Sequence, residues 1–350
     1  MLAADSKVVT ATSTDALNSD AACSWKQIVE PVEPFLEAVQ ARLSEQVDEF
    51  DPAITPYADY ALNGNGKQLR PALVALTAKA LGEPTDSHVT AALIIEMVHL
   101  ATLVHDDIMD ESEIRRGRPT LAANWGNDIA VLFGDCLFAQ ALKLAAGFPT
   151  PEICRAVATA TNTACSGEIL QTQKRRSFEF SRGEYFRVIE MKTAELFALS
   201  SELAAFLSGA SPAQRAALRQ FGLAFGTAYQ LYDDCVDLFG SESAAGKSLG
   251  TDLAKGKLTL PVLLLWERAT AKDRARLESM VQHWRPESLA DVATLLSRYD
   301  TLAPSLQSIR EYLEKARRML PALPESHARA SLLCLTEYLA RQSDALGVCA

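Results

Sequence analysis

Apolar residues recur along this chain at steps of three and four, the period of an α-helix, and nowhere does it sustain the strict alternation of a half-buried strand. The helical runs stop at clusters of Gly, Pro and Ser: GNG at 64–66, GEP at 82–84, FPTP at 148–151, GASP at 209–212, GSESAAGKSLGTD at 240–252, RPES at 285–288 and LPALPES at 320–326. None is a long tether, so the pattern predicts one compact all-α bundle over residues 25–350. Residues 1–24 are polar, with three Asp to one Lys, and read as a disordered tail lacking the apolar centre of a signal peptide.

Two helices carry polar residues where their neighbours demand burial. In 91–104 eleven of fourteen residues are apolar, and the exceptions are Glu96, His99 and Thr102; the same spacing continues to Asp106 and Asp110. A buried polar group without a partner costs on the order of 1–3 kcal/mol, so this stripe must face a wet cavity or a polar ligand. The helix at 221–240 repeats the design with Thr227, Gln230, Asp233 or Asp234, and Asp237. Both helices end in Asp-Asp-x-x-Asp, and the two stripes are expected to face each other. The apolar run at 89–104 is interrupted by Glu96 and His99, which suits a buried helix rather than an integral membrane span.

The formal charge of −10 argues against a nucleic-acid partner, which would need a basic face. It does not exclude an anionic ligand held where a few cations converge or where metal ions bridge the charges. Seven cysteines (Cys23, Cys136, Cys154, Cys165, Cys235, Cys334 and Cys349) show no CxxC pair and no metal-ligand spacing, so reduced thiols in a cytoplasmic setting are expected, with no disulfide framework.

The chemistry concentrates at LVHDDIMDESEIRRGRPT, residues 103–120, where Asp106, Asp107, Asp110 and Glu111 are followed by Arg115, Arg116 and Arg118. In Asp-Asp-x-x-Asp the first and last carboxylates sit one turn apart, about 5–6 Å between Cβ atoms, and can share a divalent ion. Magnesium (Mg2+) prefers such hard oxygen ligands and is commonly completed by substrate phosphates. Candidate metal ligands are therefore Asp106, Asp107, Asp110, Asp233, Asp234 and Asp237. A glycosidase pair is a rival, but it needs one carboxyl kept protonated and apart from the other, not three crowded together. Lys67 and Arg70 in GNGKQLRP stand at a loop-to-helix junction suited to an anion. The spacing is not that of a P-loop. Arg115, Arg116, Lys192, Lys247 and Lys257 supply further cations, which makes two anionic binding places more plausible than one.

Taken in order, GNGKQLRP, EMVHLATLVHDDIMDESEIRRGRPT, GD at 134–135, GEILQ at 167–171, KT at 192–193, FGTAYQLYDDCVD and GKSLGTDLAKGKLTLP resemble the trans-prenyl diphosphate synthases from about residue 26 to the C-terminal helices. The resemblance implies an antiparallel helical bundle around a deep central cavity, a homodimer, and magnesium, three ions with substrate bound. It implies condensation of an allylic prenyl diphosphate with isopentenyl diphosphate. By the same resemblance Lys67, Arg70, His99 and Arg116 bind isopentenyl diphosphate, and Arg115, Lys192, Lys247 and Lys257 bind the allylic diphosphate. Lys192, Thr193 and Gln230 are the implied catalytic residues, the last two steadying a carbocation. Lys247 stays divided between a loop-surface reading and a diphosphate contact, while Glu96 and His105 read as structural. Gln68 departs from the Arg usual in the family's block, which removes one cation beside the isopentenyl site.

Chain length in this family is set by side chains one turn or slightly more before the first motif. Here those are Ala101 and Thr102, both small, with Phe138 and Leu142 as a deeper floor. The expected product is longer than farnesyl, at geranylgeranyl length or beyond, quinone side chains included. Two other readings stay open. A class I terpene cyclase also ionises diphosphates, but usually carries a mixed Asn/Ser/Glu second motif and lacks the isopentenyl block. An inactive regulatory subunit of a prenyl synthase would retain the fold without the turnover.

Overall fold

The computed structural model describes residues 23–64, 66–241 and 249–346. Within them the chain is helical almost throughout. It opens with α1 (Trp25–Val29), α2 (Glu33–Glu45), α3 (Thr55–Leu62), α4 (Leu69–Leu81) and α5 (Asp86–Met109). After a small hairpin come α6 (Leu121–Trp125), α7 (Asn127–Ala146), α8 (Pro151–Gln173), α9 (Arg182–Ile189), α10 (Glu195–Leu207) and α11 (Pro212–Phe239). The C-terminal part holds α12 (Thr251–Ala254), α13 (Leu260–Arg268), α14 (Ala271–Gln282), α15 (Ser288–Arg298), α16 (Leu302–Arg317) and α17 (His327–Asp344).

The breakers seen in the sequence act where expected. Gly82 closes α4, and Pro151 and Pro212 open α8 and α11, where a missing N–H is no loss. Ser211 and Gln214 form a reciprocal capping box at the start of α11. At the centre, α5 packs on α4, α7 and α10, while α10 packs on α4 and α11, and α11 on α16. One contiguous set of buried apolar side chains runs from Ile28 to Leu339.

Two local departures from the α-helix were not visible in the hydrophobic pattern. The first is an antiparallel hairpin, β1 (Ile114–Arg115) and β2 (Arg118–Pro119), with Ile114 opposite Pro119. Its two turn residues, Arg116 at φ 52° and Gly117 at φ 74°, both have the left-handed backbone of the primed hairpin turns. The second is a π-helical turn at Glu190–Ala194 between α9 and α10; such one-turn bulges recur at functional sites.

The ends of the chain also differ from expectation. Of the predicted tail, residues 1–24, only Cys23 and Ser24 are described, and both are fixed. The Ser24 hydroxyl caps α1, and Cys23 is disulfide-bonded to Cys334 on α17, with Cα atoms 5.7 Å apart. The expectation of seven free thiols is therefore corrected for this pair, because packing of α1 against α17 brings together residues that local spacing cannot relate. Cys136, Cys154, Cys165 and Cys235 are free.

Two helices, α5 and α7, are long and apolar enough to cross a membrane. The first is the core helix foreseen in the sequence. The second leaves Val131, Leu132 and Leu142 exposed along one side, and Ile169 on the adjoining α8 is exposed as well.

Candidate active site

The C-terminal end of α5 presents the first aspartate motif, and each of its acids faces a cation from another element. Asp107 Oδ1 accepts from Arg115 on the hairpin, whose Nε lies 2.7 Å away. Asp110 accepts from Lys257 Nζ at 2.6 Å and from Arg175 at 2.9 Å. Asp106 lies 3.6 Å from Lys192 Nζ. Burial pushes the Asp106 and Asp107 carboxyls upward. Burial also acts on Asp110, but Lys257, Lys192 and Arg175 outweigh it and hold that carboxyl below its ordinary value. The three aspartates and Arg115 are thus paired within the cleft, while Glu111, Arg116 and Arg118 of the same stretch are exposed.

The second motif divides its labour. Asp233 is half-buried on α11. Asp234 is sequestered: one carboxylate oxygen accepts from the buried Tyr185 hydroxyl and the other from Gln230 Nε2 at 2.7 Å. Asp237 has no exposed surface. It accepts from the Thr251 hydroxyl at 2.8 Å and from the backbone N–H groups of Thr251 and Asp252, both at 3.2 Å. It therefore caps α12. Spacing alone offered all three as metal ligands; the structure shows Asp234 and Asp237 engaged by protein donors, which the motif does not reveal.

Lys257 joins the two motifs. It is buried, and besides Asp110 it lies 3.9 Å from Asp252, whose charge in turn helps to raise the Asp234 carboxyl, after burial itself. Between them is a cavity of about 40 Å³ lined by Lys192, Thr193, Gln230, Asp234, Asp252 and Lys257. The Thr193 hydroxyl donates to Gln230 Oε1 at 2.8 Å, so Gln230 is fixed at both ends of its amide. The π-turn sets the direction of Lys192 and Thr193, and the Lys192 amine also donates to Gln171 at 3.1 Å.

A second cationic group gathers one turn higher on α5. Arg70 is buried, with its guanidinium 4.5 Å from the Phe197 ring centroid. Gly66 allows the Arg116 guanidinium to lie against the GNGK loop, where a Cβ would come within 2.6 Å of it. Burial, followed by Arg70 and Arg116, holds His99 neutral well below its ordinary range. Burial likewise raises the Glu96 carboxyl, against the pull of Arg70 and Arg116. Lys67 is exposed beside this group. The four predicted isopentenyl residues therefore share one neighbourhood. Gln68 turns away from it, with a left-handed backbone and its amide donating to Gln40 at 2.7 Å.

Of the chain-length candidates, Ala101 has no exposed surface, while Thr102 and Phe138 are half-buried; Leu142, expected in the deeper floor, is instead exposed on the outer side of α7 and is no part of it. The Thr102 hydroxyl donates to the His99 carbonyl at 2.7 Å, and the Phe138 ring lies 5.7 Å from the His105 ring. Lys247 lies outside the described residues. Residues that sequence reasoning passed over are Arg175, Asp252, Tyr185 and Glu168. The first two had a visible signal, a KRR run at 174–176 and the acid of GTD; Tyr185 had none.

The residues present fit a divalent metal by donor chemistry: Asp106 and Asp110 are hard oxygen ligands one turn apart at the rim of a cavity that also presents lysines for an anion. Among the described residues the one tight grouping with sulfur ligands is Cys23, Cys334 and Glu337, and its sulfurs are bonded to each other.

Comparison with known proteins agrees with this geometry. The polyprenyl synthetase family model matches residues 51–299. The octaprenyl diphosphate synthase of Haemophilus influenzae is 34% identical over 313 residues, 89% of this chain and 95% of that protein. Component 2 of the heptaprenyl diphosphate synthase of Bacillus subtilis is 32% identical, covering 88% of each. A polyprenyl synthase from Caulobacter crescentus, crystallised with calcium and isoprenyl diphosphate, superposes with a TM-score of 0.86 at 32% identity, over 91% of this chain and 97% of that one. The chain belongs to the polyprenyl synthetase family, the prenyl transferases that join isopentenyl diphosphate to an allylic diphosphate.

Proposed function

We propose that this enzyme is a magnesium-dependent synthase of long trans-polyprenyl diphosphates. The observation that carries the reading is the meeting of both aspartate-rich helices around one cavity: Lys192, the buried Lys257, Thr193, Gln230 and Asp234 line it, and Asp106 and Asp110 lie against the two lysines. Asp106 and Asp110, with Asp233 opposite, are the carboxylates we assign to magnesium, which when bound supplies positive charge to the departing diphosphate. Lys192, Lys257 and Arg115 neutralise the same leaving group, so the allylic C–O bond breaks where its developing charge is met. The bond's electron pair leaves with the diphosphate, and the Thr193 hydroxyl and Gln230 amide present their dipoles to the carbocation left behind.

Arg70, Arg116, Lys67 and His99 hold isopentenyl diphosphate so that its double bond reaches the cation. The new C–C bond forms, a proton passes from the neighbouring carbon to the released diphosphate, and the product is an allylic diphosphate longer by one isoprene unit. Small side chains at Ala101 and Thr102 favour repeated cycles, and the octaprenyl and heptaprenyl names of two relatives support a long product. A homodimer joined through α7 and α8 accords with the exposed Val131, Leu132, Leu142 and Ile169. The Bacillus relative, named as one component, favours a second arrangement in which a different subunit takes that place.

The test is an assay of the purified chain alone with magnesium, labelled isopentenyl diphosphate and farnesyl diphosphate, products separated by length. Elongated diphosphates of geranylgeranyl length or more are expected. A cyclic hydrocarbon in their place would replace this reading with a cyclase. No turnover until a second protein is added would make the chain half of a two-component enzyme.

A further inference from the structure

Lys192 Nζ carries three N–H donors, and α8 sets two acceptors against it. Gln171 Oε1 accepts from the amine at 3.1 Å. Glu168, one turn earlier on the same helix face, presents Oε2 in direct contact with the amine. Lys192 itself lines the cavity, and Asp106 at 3.6 Å is too distant for a hydrogen bond. Glu168 is itself 9% exposed, so a buried carboxylate that nothing in the reaction has claimed is spent on this one contact. The closeness of the two elements is built in. A Cβ on Gly167 would come within 2.8 Å of the Lys192 backbone nitrogen, so only glycine lets α8 approach the π-turn this closely.

We propose that Glu168 is the positioning residue for Lys192. Glu168 and Gln171 grip two of the amine's hydrogens and leave the third for the allylic diphosphate. A lysine ammonium on a four-carbon stem is otherwise a mobile point charge, and in this cleft it has an alternative partner in Asp106. With Glu168 in place, the charge of Lys192 is balanced from the side away from the substrate. The amine then need not turn to Asp106, and that acid stays available at the cavity rim. The proposal rests on the assignment of Lys192 to the allylic diphosphate, and its test separates the two.

The experiment is a double-mutant cycle on the full-length enzyme with Glu168→Gln, Lys192→Gln and the pair. It reads KM for each diphosphate, kcat, and calorimetric binding of an unreactive thio-analogue of farnesyl diphosphate. Glu168→Gln is expected to weaken allylic affinity about tenfold, the size of one lost charge-assisted hydrogen bond, with KM for isopentenyl diphosphate changed less than about twofold. In the Lys192→Gln background the same substitution is expected to add almost nothing. An equal effect in both backgrounds would show that Glu168 acts independently of Lys192 and overturn the proposal. So would a loss confined to isopentenyl diphosphate, or no loss at all. If Lys192→Gln alone leaves allylic affinity untouched, the assignment of Lys192 fails first and the anchor falls with it. Should Glu168→Gln not fold, Gln171→Leu removes the other grip and must show the same allylic-only loss, abolished in the Lys192→Gln background.

Discussion

His99 illustrates how much a single side chain in this cleft owes to its neighbours. Burial and the nearby Arg70 and Arg116 keep it neutral well below the ordinary histidine value of about 6.5. In the unfolded chain it takes up a proton as pH falls through that value, whereas in the folded protein it does not. The unfolded state therefore binds more protons, and stability is lost as pH drops below about 6.5, by at most about 1.4 kcal/mol per pH unit. The thermal midpoint of the substrate-free protein, followed from about pH 7.5 to 5.5, is expected to fall less steeply in His99→Gln than in the unaltered chain. Parallel slopes would remove this account. At this scale the sequence was highly legible where a residue lay on a polar stripe, as His99 and Asp106 do. It was poorly legible where identity conceals orientation. Asp233, Asp234 and Asp237 look alike in a motif, yet Tyr185 and Gln230 occupy Asp234, and the α12 N–H groups occupy Asp237. Gln68 was legible as a missing cation, but that it turns to Gln40 required the left-handed backbone to be seen.

Among the elements, α7 is the one whose surface asks for something to cover it. Leu132 is 62% exposed on a helix otherwise seated against α5 and α8. Replacing Leu132 with Glu is expected to convert the proposed homodimer to monomers by light scattering with little change in the monomer's own fold, since the side chain contributes little to the core. A protein that stays associated would place the interface elsewhere. The helices themselves were legible because period and breakers agree, as at Gly82, Pro151 and Pro212. The hairpin was not, because it lies in a charged stretch without periodicity and depends on two residues at positive φ. The π-turn was not, because inserting one residue into a helix barely disturbs its apolar spacing. That turn is nonetheless what directs Lys192 and Thr193 into the cavity.

For the whole molecule, the Cys23–Cys334 bond links α1 to α17 across 311 residues of sequence. In the chain-entropy account, closing so long a loop stabilises by on the order of 5–6 kcal/mol. A reducing agent is expected to lower the thermal midpoint of the unaltered protein and to leave that of Cys334→Ser unchanged; equal midpoints with and without reductant would contradict it. No local rule could have found this pair, since spacing says nothing about cysteines that meet only when the first and last helices pack together. The meeting of the two aspartate motifs around Lys192 and Lys257 was legible because two distant segments carried the same unusual stripe. The bond also makes a closed ring of everything between those cysteines. A protease that clips one surface turn would therefore release no fragment, and the severed catalytic helices would still travel as one covalent body until the sulfurs part.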